Sequence, residues 1–263
     1  MATRKLTRST APTPTRRYGW SPQLPDQRDV LFSAGAEHLA ALPSKVDLRP
    51  RCPTICDQGA LGSCTANAIA GAVQFDLMKQ QLPVFAPSRL FIYFNERVME
   101  HSVASDSGAR IRDGIKAVSK QGVCSETVWP YDVARFAEKP PVAAYQEALG
   151  QRALQYQTVL RRITQMKGCL AAGFPFVFGF TVYTAFESKS VERTGVVDLP
   201  HGGEKLLGGH AVLAVGYDDA TQRFIVRNSW GEKWGQAGYF TMPYAYLLSA
   251  DLASDFWTIR MMQ

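Results

Sequence analysis

The sequence predicts an α+β fold in two lobes, a helical half followed by an antiparallel β half. Two observations predict it. Between residues 63 and 122 apolar side chains recur at helical spacing. Beyond about residue 160 the pattern changes to short β-branched or aromatic runs separated by turn residues. The length of 263 residues bounds the answer, since it suffices for one large domain or two smaller ones. A composition of 46% hydrophobic and 20% charged residues fits a globular chain. No apolar run approaches the ~18 residues of a membrane-spanning helix. The densest, GFPFVFGF at 173–180, is interrupted by Pro175 and reads as buried strand.

Taken in order, residues 1–42 are rich in Pro, Ser, Thr and charge, lack a sustained period, and read as an N-terminal extension. Arg4, Lys5, Arg8, Arg16 and Arg17 supply five of the six net positive charges. Such a tail can touch nucleic acid or an anionic lipid, but a solvated end is the expected state. No apolar signal-peptide core follows these charges. The five cysteines (52, 56, 64, 124 and 169) are an odd number and too sparse for a disulfide scaffold. Both features point to reduced thiols and the cytoplasm rather than export.

Residues 43–160 read as the helical lobe, opened by PSKVDLRP. The run SCTANAIAGAVQFDLMKQQ places Ala66, Ile69, Ala70, Val73 and Leu77 on one face. Small residues surround them, as in a helix buried on most sides. Pro83 and Pro87 end that run. PSRLFIYFNERVME forms a second helix with Ser88 near its start, and SGARIRDGIKAVSKQG a third, closed by Gly122. Residues 161–263 read as the β lobe, with FPFVFGFTVY, HAVLAVGY, RFIVRNSW and GYFTMP as strands.

The chemistry starts from a hairpin. HAVLAVGY and RFIVRN flank the polar turn DDATQ, and a turn centred near Asp219 sets His210 opposite Asn228. On one face of the sheet the asparagine can orient the imidazole and fix its tautomer. Cys64 is the candidate nucleophile. It follows the loop DQGALG, and Ser63 offers an N-cap for a helix whose first turn contains the thiol. Unpaired N–H groups, the helix dipole and an adjacent imidazolium would lower a thiol pKa by several units from ~8.5. The expected result is a thiolate–imidazolium pair. The side-chain NH₂ of Gln58, with the N–H of Cys64, could donate to the oxygen of a tetrahedral intermediate.

Each residue alone also has a plain reading, an inert core cysteine or a structural strand histidine. The combination is what points to catalysis. His201 is a rival base but sits in a Gly-rich loop, and His38 and His101 belong to no constellation. Cys52-x₃-Cys56 hints at a metal, yet no second ligand pair follows, so no metal is expected.

DQGALGSCTANA, GGHAVLAVGY and VRNSWGEKWGQAGYF carry Gln, Cys, His and Asn in that order. They resemble the signature blocks of papain-like cysteine peptidases, with His210 146 residues and Asn228 164 residues after Cys64. The resemblance runs from about residue 43 to the end. It implies a two-lobe papain-like fold of bacterial type, a helical left lobe and a β-barrel-like right lobe with the cleft between them. It makes Cys64 nucleophile, His210 base and acid, Asn228 its orienter and Gln58 oxyanion donor. It also implies that Trp230 shields the His–Asn bond. Substrate would run along Gly62, the glycine wall near Gly108, and Gly209, which leaves its edge of the cleft open.

Two departures stand out. Thr65 replaces the family's aromatic after the nucleophile. Leu61 and Asp106 replace both halves of a disulfide.

The reading is a thiol endopeptidase acting on peptide or protein substrates through an acyl-enzyme, without metal or organic cofactor. The same scaffold admits an amidase, aminopeptidase or acyl transferase, or a catalytically silent binding module. As family members commonly carry a prosegment, the segment RRYGWSPQLPDQRDV is expected to occupy or cover the cleft.

Overall fold

A computed structural model describes residues 17–35 and 39–262. The expectations for the basic tail through Arg16, and for His38, lie outside the described residues. The helices form where the periodicity places them: α1 Cys64–Lys79, α2 Arg89–Met99 and α3 Ile111–Gln121. Helix α1 is buried around almost its whole circumference, from Cys64 through Leu77. Its alanines and Gly71 make this possible. A Cβ on Gly71 would stand 3.3 Å from Nε of Arg227, so the helix rides close over the sheet. Ser88 caps α2 by accepting from the N–H of Phe91, and Gly122, at φ +79°, closes α3.

Shorter helices follow, α4 Val142–Ala148, α5 Ile163–Ala171, α6 Lys189–Thr194 and α7 Tyr244–Leu248. The strands are β1 Leu31–Phe32, β2 Lys45–Asp47, β3 Ala153–Val159, β4 Phe176–Tyr183, β5 Leu206–Asp218, β6 Arg223–Arg227, β7 Tyr239–Pro243 and β8 Ala253–Met262. Among the described residues they join in the order β1-β3-β8-β4-β5-β6-β7, with β2 also pairing to β5. The path is open. The sheet does not close into the barrel-like form expected for the second lobe, because β1 and β7 end the order unpaired with one another.

Strand β3 falls in the stretch read as helical, yet it pairs antiparallel with β8 near the C-terminus. The short β1 pairs with β3 in parallel, bringing part of the N-terminal extension onto the sheet. The helical and sheet lobes meet where α1 packs against β5 and β8. That contact sets the N-terminus of α1 beside the middle of β5. The core is aromatic on the sheet side, where Phe176, Phe178, Phe180, Phe224 and Phe240 are all fully buried.

Candidate active site

Three elements converge at the start of α1. The loop 57–63 leads into Cys64, β5 brings Gly209 and His210, and the segment after β6 brings Asn228, Ser229 and Trp230. Nε2 of His210 lies 2.8 Å from Oδ1 of Asn228. That oxygen also accepts from the N–H of Ser229 at 2.9 Å. An oxygen facing two nitrogens acts as acceptor to both, so Nε2 carries the proton in the neutral ring. Nδ1 is then the basic nitrogen.

The pairing arises by a different register from the one expected. Leu213 opposes Arg227, a bulge intervenes before Gly216 opposes Ile225, and Asp218 opposes Arg223. The turn therefore centres beyond Asp219, and Asn228 sits just past the end of β6. The bulge and the length of the asparagine side chain bring the two groups together regardless. Trp230 stacks on the imidazole, with ring centres 5.0 Å apart and 30° between planes. The resemblance gives this indole the part of shielding the His–Asn bond, and the ring it stacks on is the one that Asn228 holds.

The backbone N–H groups of Ala211, the residue after His210, and of Gly19 favour the anion of Cys64. The cysteine is fully buried. Burial pushes the thiol up to about 11 against the smaller lowering by those N–H groups. Burial therefore works against the expected thiolate in this state. Residues of the N-terminal extension contribute to that burial, since Tyr18 packs on His210 and Gly19 and Trp20 pack against Gly62 and Gly209. Ser63 also departs from expectation. Its side chain makes no cap bond to α1, but meets the hydroxyl of Tyr131 at 2.5 Å and accepts from Nδ2 of Asn67.

Gln58 is buried and fully oriented. Its Oε1 accepts from the hydroxyl of Ser229 at 2.6 Å, which turns Nε2 toward the carbonyls of Leu61 at 2.9 Å and Arg17 at 3.5 Å. The loop carrying it is braced from behind. Tyr131 donates to the carbonyl of Gln58, and the guanidinium of Arg89 stacks on Tyr131 while donating to Oδ1 of Asn67 and the carbonyl of Asp57. Sequence reading passed over Ser229, Tyr131 and Arg89. Only Ser229 left a signal, its adjacency to Asn228 in the NSW block.

The segment crosses the site as an extended strand. The carbonyl of Gly19 accepts from the N–H of Ala109 at 2.7 Å, and the N–H of Ser21 donates back to the carbonyl of Ala109 at 3.2 Å. This is a parallel bridge between Trp20 and Ala109. The backbone pairing thus falls on Ala109, one residue beyond the expected Gly108. Trp20 donates to the carbonyl of Gly209 at 3.0 Å. Its ring covers Gly209 and Gly179, and a Cβ on Gly179 would stand 1.9 Å from the indole. A Cβ on Gly19 would stand 1.7 Å from the carbonyl oxygen of Gly62, so the segment can pass there only as glycine.

Asp106, where the resemblance expects a cysteine, accepts from the N–H of Gly62 at 3.0 Å and from the hydroxyl of Tyr93 at 2.5 Å. The carboxylate so links the nucleophile loop to the wall, the two edges a disulfide would join. All five cysteines carry free thiols. The rival His201 stays in its loop beside Glu204, and His101 ends α2 far along the chain from these groups. No group of three or more metal-ligating side chains occurs among the described residues.

The model of the papain family of cysteine proteases matches residues 42–254. The chain belongs to that family. It is 45% identical over 94% of its length to a peptidase C1-like protein of Acanthamoeba polyphaga mimivirus, covering 88% of that protein. It is 29% identical to a cathepsin B-like protein of Giardia intestinalis, over 75% of this chain and 68% of that one. Among solved structures, xylellain, a cysteine protease from Xylella fastidiosa, superposes with a TM-score of 0.89 at 45% identity, over 94% of this chain and 96% of that one. The papain-like fold is therefore two-lobed and α+β, and the activity of the family is cysteine endopeptidase hydrolysis of peptide bonds. No helix among the described residues is long and apolar enough to cross a membrane.

Proposed function

We propose that Cys64, His210, Asn228 and Gln58 carry the protease activity, and that residues 17–21 hold the enzyme in a latent form. The observation that carries this reading is the joint burial of Cys64 and His210 beneath Tyr18, Gly19 and Trp20. With the segment withdrawn, the sulfur regains water at a helix N-terminus beside an imidazole whose Nδ1 is basic. Proton transfer to Nδ1 then yields the nucleophile. The thiolate attacks the peptide carbonyl, whose oxygen enters the position beside Nε2 of Gln58. His210 returns the proton to the leaving amine, and water, activated by the same ring, hydrolyses the thioester.

The test compares the full chain with Cys64→Ala on a peptide amide, following released amine and trapping the acyl-enzyme by mass. The reading expects slow turnover, scaled by the fraction of chains with an open cleft, and a covalent adduct on Cys64, both absent from the variant. Turnover that persists in Cys64→Ala would refute it. Added amine nucleophile distinguishes the alternative chemistry, since an acyl transferase would divert most product to the new amide.

A further inference from the structure

The segment is held by three acids in succession. Arg17 pairs with Asp106 at 3.1 Å, the hydroxyl of Tyr18 donates to Glu187, and the indole N–H of Trp20 donates to Asp255 at 3.0 Å. The first contact differs from the others in kind. Tyr18 and Trp20 offer neutral donors, whereas Arg17 brings a full charge to a carboxylate that is only 7% exposed. Oδ1 of Asp106 is engaged by Gly62 and Tyr93, while Oδ2 shares the N–H of Gly62 at 3.2 Å and receives the guanidinium. Gly62 and Tyr93 hold the carboxylate from the enzyme's own side, and Arg17, itself largely exposed, adds its contact at Oδ2.

The residue that reaches Asp106 is also the one in the segment whose carbonyl approaches Gln58, at 3.5 Å from Nε2, beyond the carbonyl of Leu61 at 2.9 Å. We propose that Asp106 is a specificity determinant, selecting substrates with a basic side chain on the residue whose carbonyl is attacked. Arg17 would occupy that subsite in the latent chain. The carboxylate that stands in for a disulfide would then do two things at once, bracing the nucleophile loop and giving the cleft a cation-binding wall. This rests on the proposed function above. A charge-assisted hydrogen bond to a partly buried carboxylate supports a discrimination on the order of 10-fold in kcat/KM.

The experiment uses the full chain and two peptide amides identical except for arginine or citrulline at the attacked carbonyl. Citrulline keeps the shape and removes the charge. Only the fraction of chains with an open cleft reacts, but that fraction multiplies both rates equally and cancels in their ratio. The wild type should prefer arginine about 10-fold, and Asp106→Asn should bring the ratio to within about two-fold. Arg17→Gln should raise both rates and leave the ratio unchanged, because it alters the occupant and not the subsite. A wild-type ratio near one, or a preference that survives Asp106→Asn, overturns the proposal. Absence of any Cys64-dependent hydrolysis of either peptide would instead remove the protease reading beneath it.

Discussion

At the scale of single residues, the site depends on groups that turn other groups. In the proposed roles, Gln58 donates to an oxyanion from an amide whose Oε1 Ser229 holds, and His210 acts as base from a ring whose Nε2 Asn228 holds. Removing the donor itself, by Gln58→Ala, should lower kcat by about 10²–10³-fold on a peptide amide. Ser229→Ala leaves the donor present but free to flip. It should cost on the order of 10-fold in kcat with little change in KM, and Ser229→Thr should restore most of it. A Ser229→Ala enzyme with wild-type kcat would show that the amide is held by its other contacts alone. The four residues proposed as nucleophile, base, orienter and donor could be picked out in the sequence, because each stands in a short block with its own turn or helix signal. Their supports were not. Tyr131 and Arg89 lie 67 and 25 residues beyond Cys64, and no local pattern connects them to it.

At the scale of elements, α1 carries an instructive substitution. Thr65 stands where the family has an aromatic, and its hydroxyl donates at 2.6 Å to Oε1 of Glu96 on α2. Glu96 is completely buried, and that burial holds its carboxyl well above the usual range despite the threonine bond. A raised carboxyl pKa means that the folded chain keeps a proton the unfolded chain releases. The neutral pairing therefore contributes fully below pH 4.5, and stability falls by about 1.4 kcal/mol per pH unit as pH rises toward the folded value. Glu96→Gln, which cannot ionise, should be less sensitive over that window. Its denaturant midpoint relative to wild type should rise between pH 5 and pH 8, and a constant difference across that range would contradict the assignment.

The three long helices were legible from their period. The sheet was only half so. Strands β4 to β7 follow one another along the chain, and their turns announce them. Strand β3 shows mixed polar and apolar residues because one face is exposed, and its partner β8 lies about 100 residues away. The open edge of the sheet likewise follows from pairings between distant segments, which no local signal encodes.

At the scale of the whole molecule, the N-terminal segment and the thiol are thermodynamically linked. Covered, Cys64 holds its proton up to about 11. Uncovered, beside a helix tip and an imidazole, it releases the proton sooner. Closure is therefore fully supported below the uncovered thiol's pKa and weakens by up to about tenfold per pH unit as pH rises toward 11. Thiol alkylation of the full chain, divided by that of an opened variant at the same pH, should rise with pH over this window. A flat ratio would mean that the segment does not control the proton.

Trp20 supplies the opened variant, since its indole fills a slot over Gly179 and Gly209. Truncating a buried tryptophan typically removes about 3–5 kcal/mol of packing, which shifts the segment toward the open state against its remaining hydrogen bonds. The most direct measurement of latency is therefore the second-order rate at which an irreversible epoxide thiol reagent modifies Cys64 in the wild type and in Trp20→Ala at neutral pH. The account predicts a faster reaction in the variant by at least about 10²-fold, with labelling confined to Cys64. Equal rates in the two proteins would contradict it.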